Sequence, residues 1–123
     1  MRKMNMLVFD DFVNGTTTIY TRPELNSALG EHDLLAIQAV ADQVSTTCNL
    51  TVQIYHSADQ INWKAKNATA EINAQSIASA ATTVLVGTDG GTTPSLGFVK
   101  LGITLSAAQQ AHLKIWVTGR DQA

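Results

Sequence analysis

The sequence predicts an all-β domain, a sandwich or barrel of antiparallel strands. Three observations predict it. Apolar and polar side chains alternate along Leu50–His56, Phe98–Leu105 and Ala111–Thr118. β-Branched residues crowd Thr82–Val86, and Gly, Thr, Ser and Asn cluster between these segments. Period two places successive side chains on opposite faces of a pleated sheet. Many short strands separated by such turns pack as sandwiches or barrels.

Taken in chain order, Asn14-Gly15 is a tight-turn dipeptide that would join Leu7–Phe12 to Thr16–Thr21 as a hairpin. Pro23–Leu29 can form one helical turn with proline at its first position. Leu34–Val44 fits a helix through Leu34, Ile37, Ala41 and Val44, and equally a strand buried on both faces. Leu50, Val52 and Ile54 form an inward row, with Thr51, Gln53 and Tyr55 outward. Ala68–Ala81 is alanine-rich, which favours helix, but a strand with Ile72 and Ala74 inward fits too. Thr82–Val86 reads as a strand bounded by Gly87, and Gly87–Pro94 as a loop. In Phe98–Leu105 the inward row is Val99, Leu101, Ile103 and Leu105. Ser106-Ala107-Ala108-Gln109 resembles a capping box, yet so few residues precede the next strand that a loop with one turn is favoured. In the last strand Ala111, Leu113, Ile115 and Val117 point inward. With no repeat, linker or composition break, residues 1–123 read as a single domain, residues 1–12 being an N-terminal arm or an edge strand.

Composition removes several function classes. The 123 residues are 45% hydrophobic and only 15% charged, which suits a surface packed against neighbours. Net charge is -2 and the eight Lys and Arg are scattered, so no cationic stripe exists to displace counterions from nucleic acid. The apolar run at the N-terminus stops at Asp10-Asp11, too short for a secretory signal, and no segment approaches the ~18 apolar residues of a membrane span. Neither nucleic acid nor membrane is therefore expected as a partner. The single cysteine, Cys48, forms no internal disulfide and lies in a polar run that reads as a turn, partly exposed.

No catalytic, cofactor or metal residues are expected. His32, His56 and His112 lie near serines and acids, but in no nucleophile elbow. His32-Asp33 and Asp10-Asp11 match no calcium loop, and Gly87–Gly91 lacks the lysine ending of a phosphate loop. His56-Ser57-Ala58-Asp59 reads as a turn in which Ser57 and Asp59 accept backbone N–H groups, with a buried Trp63 covering it. The informative feature is elsewhere. Tyr55, Phe98 and Trp116 all lie on outward, polar rows, beside Gln53, Lys100, Lys114 and His112. If their strands share a sheet, Tyr55, Phe98, Lys100 and Trp116 make a protein interface of aromatic anchors in a polar rim. The alternative is that Leu7, Val8, Phe9 and Phe12 cover those rings.

The phrase His56-Ser57-Ala58-Asp59-Gln60-Ile61-Asn62-Trp63, following the strand Leu50–Tyr55, resembles small β-sandwich virion proteins of tailed phages and gene transfer agents. Gly97–Leu105 and Leu113–Arg120 look similar to the same group, so the resemblance runs from about Leu34 to Arg120. Departures are Gln60-Ile61, where such sequences often have glycine after the aspartate, and Lys100, where arginine is usual. The resemblance implies a jelly-roll-like antiparallel β-sandwich and resolves Leu34–Val44 and Ala70–Ile77 toward strand. It implies a capsid decoration, cement or minor capsid protein of a bacteriophage, present in the host cytoplasm during assembly and then in the virion. Its partners would be the major capsid protein and copies of itself, as a trimer by analogy, with no cofactor and no enzymatic activity. A carbohydrate- or ligand-binding sandwich is the second expectation. It requires Trp116 and Tyr55 exposed and coplanar to stack on sugar rings.

Overall fold

A computed structural model describes residues 3–25, 34–89 and 95–120. Among the described residues ten strands are formed: β1 (Lys3–Asn14), β2 (Ile19–Tyr20), β3 (Glu24–Leu25), β4 (Leu34–Asp42), β5 (Cys48–Ser57), β6 (Lys64–Ala65), β7 (Ile72–Ile77), β8 (Thr83–Thr88), β9 (Phe98–Leu105) and β10 (Gln110–Arg120). The described residues contain no helix. One sheet has the order β1-β10-β4-β8. The other has the order β2-β9-β5-β6, with β3 also on β9 and β7 also on β5. All pairings are antiparallel. The chain changes sheet repeatedly: β1 in the first, β2 and β3 in the second, β4 back, β5 to β7 across, β8 back, β9 across and β10 back. The result is a jelly-roll-like β-sandwich.

The inward rows make the core. Across β5 and β9, Leu50 stands opposite Leu105, Val52 opposite Ile103 and Ile54 opposite Leu101. Across β10 and β4, Leu113 meets Ala41, Ile115 meets Ala39 and Val117 meets Ile37. All of these side chains are buried. Each large aliphatic residue sealed this way contributes about 1.5–3 kcal/mol, and a one-residue slip would turn the whole row to solvent, so the core also fixes register.

Three sequence expectations change. Asn14-Gly15 does turn the chain, with Gly15 in the left-handed region at φ 76°, but it makes no hairpin. β1 pairs with β10 and β2 with β9, so the turn carries the chain from one sheet to the other. Within Pro23–Leu29, Glu24 and Leu25 form a strand on β9 rather than a helical turn; 26–29 lie outside the described residues, as do 90–94 of the expected Gly87–Pro94 loop. In β7 the inward residues are Ile72 and Ile77, not Ile72 and Ala74. Their odd spacing is reconciled by a bulge opposite Thr51, where the register shifts between Leu50 and Val52. Ala74 occupies that bulge at φ 49°, exposed, its N–H bonded to Thr51 Oγ1 at 3.1 Å. A left-handed conformation costs a non-glycine residue about 1–2 kcal/mol. Ala74→Gly removes that strain while loosening the unfolded chain. A net gain of about 0.5–1 kcal/mol is expected, read from denaturant midpoints.

Where the short edge strands leave gaps, side chains continue the ladder. Thr21, buried between β2 and β3, exchanges bonds with Leu101: its N–H donates to the Leu101 carbonyl at 2.9 Å, and its Oγ1 accepts the Leu101 N–H at 2.9 Å. Between β6 and β7, Glu71 Oε1 accepts the Ile54 N–H at 2.6 Å, and the Lys66 N–H donates to the Ile54 carbonyl at 2.9 Å. A buried polar cluster grows from this point. The Lys66 ammonium pairs with Asp89 Oδ2, and both side chains are essentially inaccessible to solvent. Asn67 Nδ2 donates to Asp89 Oδ1 at 2.7 Å and to Glu71 Oε2 at 2.9 Å. Asp89 follows β8 and Lys66 follows β6, so the cluster bolts one sheet to the other.

Candidate interaction faces

The outer face of the six-stranded sheet gathers three aromatic rings around one cation. Tyr55 on β5 stands opposite Lys100 on β9, and Tyr20 on β2 opposite Gly102. The two tyrosines meet edge to face, centroids 5.5 Å apart. Lys100 Nζ lies 4.2 Å from the Tyr20 ring centroid and 4.3 Å from that of Trp63, within the range of cation–π attraction. Gly102 makes the cluster possible. A Cβ there would lie 2.7 Å from Tyr55 Cε2 and 3.3 Å from Tyr20 Cε1. Burial, and then the neighbouring Tyr20, push the Tyr55 phenol up. Thr18 and Thr104 share a hydroxyl hydrogen bond of 2.9 Å, and Gln53 donates to the Asn67 carbonyl, adding a polar rim. Phe98 lies further along the same row of β9, half-buried, opposite Leu25 and Ser57.

The Ser57–Trp63 turn borders this face. Ser57, fully buried, donates its hydroxyl to Asp59 Oδ1 at 2.8 Å and accepts the N–H groups of Asp59 and Gln60. Asp59 Oδ1 also accepts the N–H groups of Ile61 and Asn62, and Oδ2 accepts the Asn62 amide. The expected turn chemistry of Ser57 and Asp59 is present. Gln60 takes a left-handed φ of 61° there. Trp63 differs from expectation: its ring is half-buried rather than sealed, because it lies against Lys100 at the sheet surface. The hydrogen bonds from Asn62 and Ile61 hold the Asp59 carboxyl well below its ordinary value of 3.8. Since the folded value is depressed, its contribution to stability is complete above pH 3.8 and is lost as pH falls through the folded value. Asp59→Asn is expected to flatten that acid limb of a melting-temperature profile.

His56, at the end of β5, accepts the Leu96 N–H on Nδ1 at 3.2 Å. Burial and the nearby Lys66 push its pKa down, consistent with a neutral imidazole. Cys48 is buried in the core, not partly exposed, and burial pushes its thiol up.

The outer face of the four-stranded sheet carries Trp116. The three expected rings therefore do not share a face: β10 belongs to one sheet, β5 and β9 to the other. Trp116 stands between Leu7 on β1 and Gln38 on β4, and Gln38 faces Val86 on β8. The neighbouring row is Asp10, Lys114, Val40 and Val84. Leu7, Phe12, Val84 and Val86 are 40%, 41%, 54% and 68% exposed, an unusual concentration of open apolar surface for one sheet. The described part of the N-terminal segment is strand β1 of the four-stranded sheet, so it lies beside Trp116 and not on the sheet that carries Tyr55 and Phe98. Val8 and Phe9 pack on the core, while Leu7 and Phe12 stand on the surface beside Trp116 and His112.

Below that apolar row, His112 spans three strands. Its Nε2 meets Asp10 Oδ1 on β1 at 2.8 Å and its Nδ1 meets Asp42 Oδ1 on β4 at 2.6 Å, with the Phe12 ring 5.2 Å away. Only the imidazolium can donate to both carboxylates. These bonds, Asp10 first and then Asp42, raise the pKa above its ordinary 6.5. The raised folded value means the stabilisation is fully present below pH 6.5 and is lost as pH rises through the folded pKa. Melting temperature should decline over that interval, and His112→Gln should lose the decline. Among the described residues no group of three or more His, Cys, Asp and Glu side chains is placed to hold a metal ion.

No protein-family model matches the chain. No curated protein sequence matches it either. Solved structures do match. A chain in the structure of infectious bursal disease virus, Gx strain, superposes with a TM-score of 0.63 at 12% identity, covering 96% of this chain and 32% of that one. The CBM22-1 xylan-binding domain of Paenibacillus barcinonensis Xyn10C gives 0.59 at 11% identity, over 97% and 87% of the two chains. The C-terminal family 22 carbohydrate-binding module of Clostridium thermocellum Xyn10B gives 0.59 at 5% identity, over 95% and 80%. This chain thus spans about a third of the viral chain but most of either carbohydrate-binding module. At such identities the likeness is one of fold.

Proposed function

We propose that this protein is a structural component of a bacteriophage virion, decorating or cementing the capsid surface through the outer face of its four-stranded sheet. The observation that carries the reading is the apolar field of Leu7, Val84 and Val86 around Trp116, flanked by the Asp10–His112–Asp42 cluster. An aromatic anchor in an apolar patch with a charged rim has the anatomy of a protein-binding surface. The resemblance in His56–Trp63 and the fold likeness to a chain of a virus support the same reading. The partners would be the major capsid protein and copies of this chain, and the activity is adhesion, without catalysis or cofactor. Repetition on a symmetric shell lets modest individual contacts hold by avidity. The test is co-sedimentation of the purified full chain with assembled capsid shells, at low and high salt. Binding that survives high salt is expected. A chain that stays in the supernatant at every concentration sinks the reading.

A second reading has its own observation. Tyr20, Tyr55 and Trp63 gather on the six-stranded sheet beside polar side chains, as a sugar-stacking platform would. This differs from the Trp116–Tyr55 platform expected from sequence, which the two-sheet arrangement separates. It ranks second because Lys100 occupies the faces of Tyr20 and Trp63, and a sugar would have to displace it. Glycan-array binding that Tyr20→Ala abolishes would promote it.

A further inference from the structure

An open sheet edge offers unpaired backbone groups to any passing strand, and proteins normally blunt it by shortness, bulges or charge. Among the described residues, three of the four sheet edges are blunted. On the six-stranded sheet, β2, β3 and β6 are two residues long and β7 is bulged at Ala74. On the four-stranded sheet, β1 carries a register shift between Leu7 and Phe9 and the exposed charges of Asp10 and Asp11. β8 has none of these devices. Its six residues, Thr83-Val84-Leu85-Val86-Gly87-Thr88, contain no charge and no proline, and they pair with β4 without interruption from Thr83 to Thr88. Val84 and Val86 are more than half exposed, and Leu85 is only partly buried although it packs against the core.

We propose that β8 pairs antiparallel with β8 of a second copy of this chain, about a two-fold axis at Leu85. The sequence of the edge is self-complementary in that register. Leu85 stands opposite Leu85 of the second copy on the core side, and Val84 opposite Val86 on the outer side. Four open valines become two cross-strand pairs, of the β-branched kind that sheets favour. Charge selects the occupant. A neutral strand meets its own copy with no charge trapped against the valines, whereas β1, the other long edge, would bring Asp10 and Asp11 to the contact. The contact is isologous, so it closes at two copies; it does not build the three-fold ring implied by the family resemblance. It joins two four-stranded sheets into one of eight. The Leu7–Trp116–Gln38–Val86 row then runs into the Val84–Val40–Lys114–Asp10 row of the second copy, doubling the apolar face. The inference concerns the free protein and does not depend on attachment to a shell.

The test is light scattering and sedimentation of the full chain across the micromolar range. The wild type is expected at twice the mass of the chain. V86K and, independently, V84K are expected at the single mass with an unchanged circular dichroism spectrum and a melting temperature that no longer depends on concentration, since both positions face solvent in one copy. Register is read by oxidative cross-linking: V84C mixed with V86C should give a disulfide-linked pair, and either variant alone should give several-fold less. A wild type that stays at the single mass overturns the proposal, as does a double mass that persists in both lysine variants. Equal cross-linking of V84C with itself overturns the register.

Discussion

Asp89→Ala is expected to destabilise the fold by about 3–5 kcal/mol, because it breaks a buried ion pair by removing one of its two charges. The Lys66 and Asp89 side chains are 1% and 0% exposed, so water cannot take over the lost partner. The damage would spread, since Asn67 loses an acceptor and the carboxylate of Glu71 shares that same amide. Glu71 in turn holds the backbone of Ile54 in the middle of β5. Urea unfolding monitored by tryptophan fluorescence checks the magnitude. The double change Lys66→Met with Asp89→Leu should recover much of the loss, because it removes both charges together. A double variant as unstable as Asp89→Ala would mean that the hydrogen-bonded loop, rather than the trapped charge, accounts for the effect.

Trp116→Ala is expected to weaken attachment to capsid shells by about 2 kcal/mol or more, roughly 30-fold, which is the scale of an aromatic anchor at the centre of an interface. Its effect on folding should be smaller. The ring is only half-buried, lies on the outer face and leaves the inward row of β10 intact. Leu113, Ile115 and Val117 continue to fill the core from the same strand. Shell co-sedimentation and thermal melting of the same preparation separate the two effects. A fall in melting temperature that accounts for all the lost binding would assign Trp116 to the fold instead.

The strands that could be read from sequence are those whose rows differ in chemistry. β5, β9 and β10 alternate aliphatic with polar residues, so both their existence and their inward rows were legible. β4 and β7 were ambiguous because alanine contributes little contrast to either period, and the Ala74 bulge breaks alternation within β7. What no local pattern contains is sheet membership. Trp116 and Tyr55 have the same outward signature, yet their strands pair with partners far away in sequence, in different sheets. The exposure of Val84 and Val86 is hidden for the opposite reason: valines in a short β-branched segment look like core. Tyr20 carries no such signature, since a two-residue strand has no row to read. One signal did exist. Gly102 interrupts the outward row of β9, and a glycine inside a strand often marks the close approach of something large.

The pairing of β1 with β10 joins Asn5 to Thr118 and Asn14 to Gln110. β10 is the central girder to which both β1 and β4 attach. During synthesis, then, β1 has no partner until the chain has been made through β10. Until that moment Met6, Val8 and Phe9 have no core to enter. Topology of this kind, dominated by distant pairings, slows assembly to about milliseconds or longer, and the nascent chain is exposed to its own neighbours throughout the wait. Relief of crowding around the new chain would then favour its folding, until β1 and β10 meet.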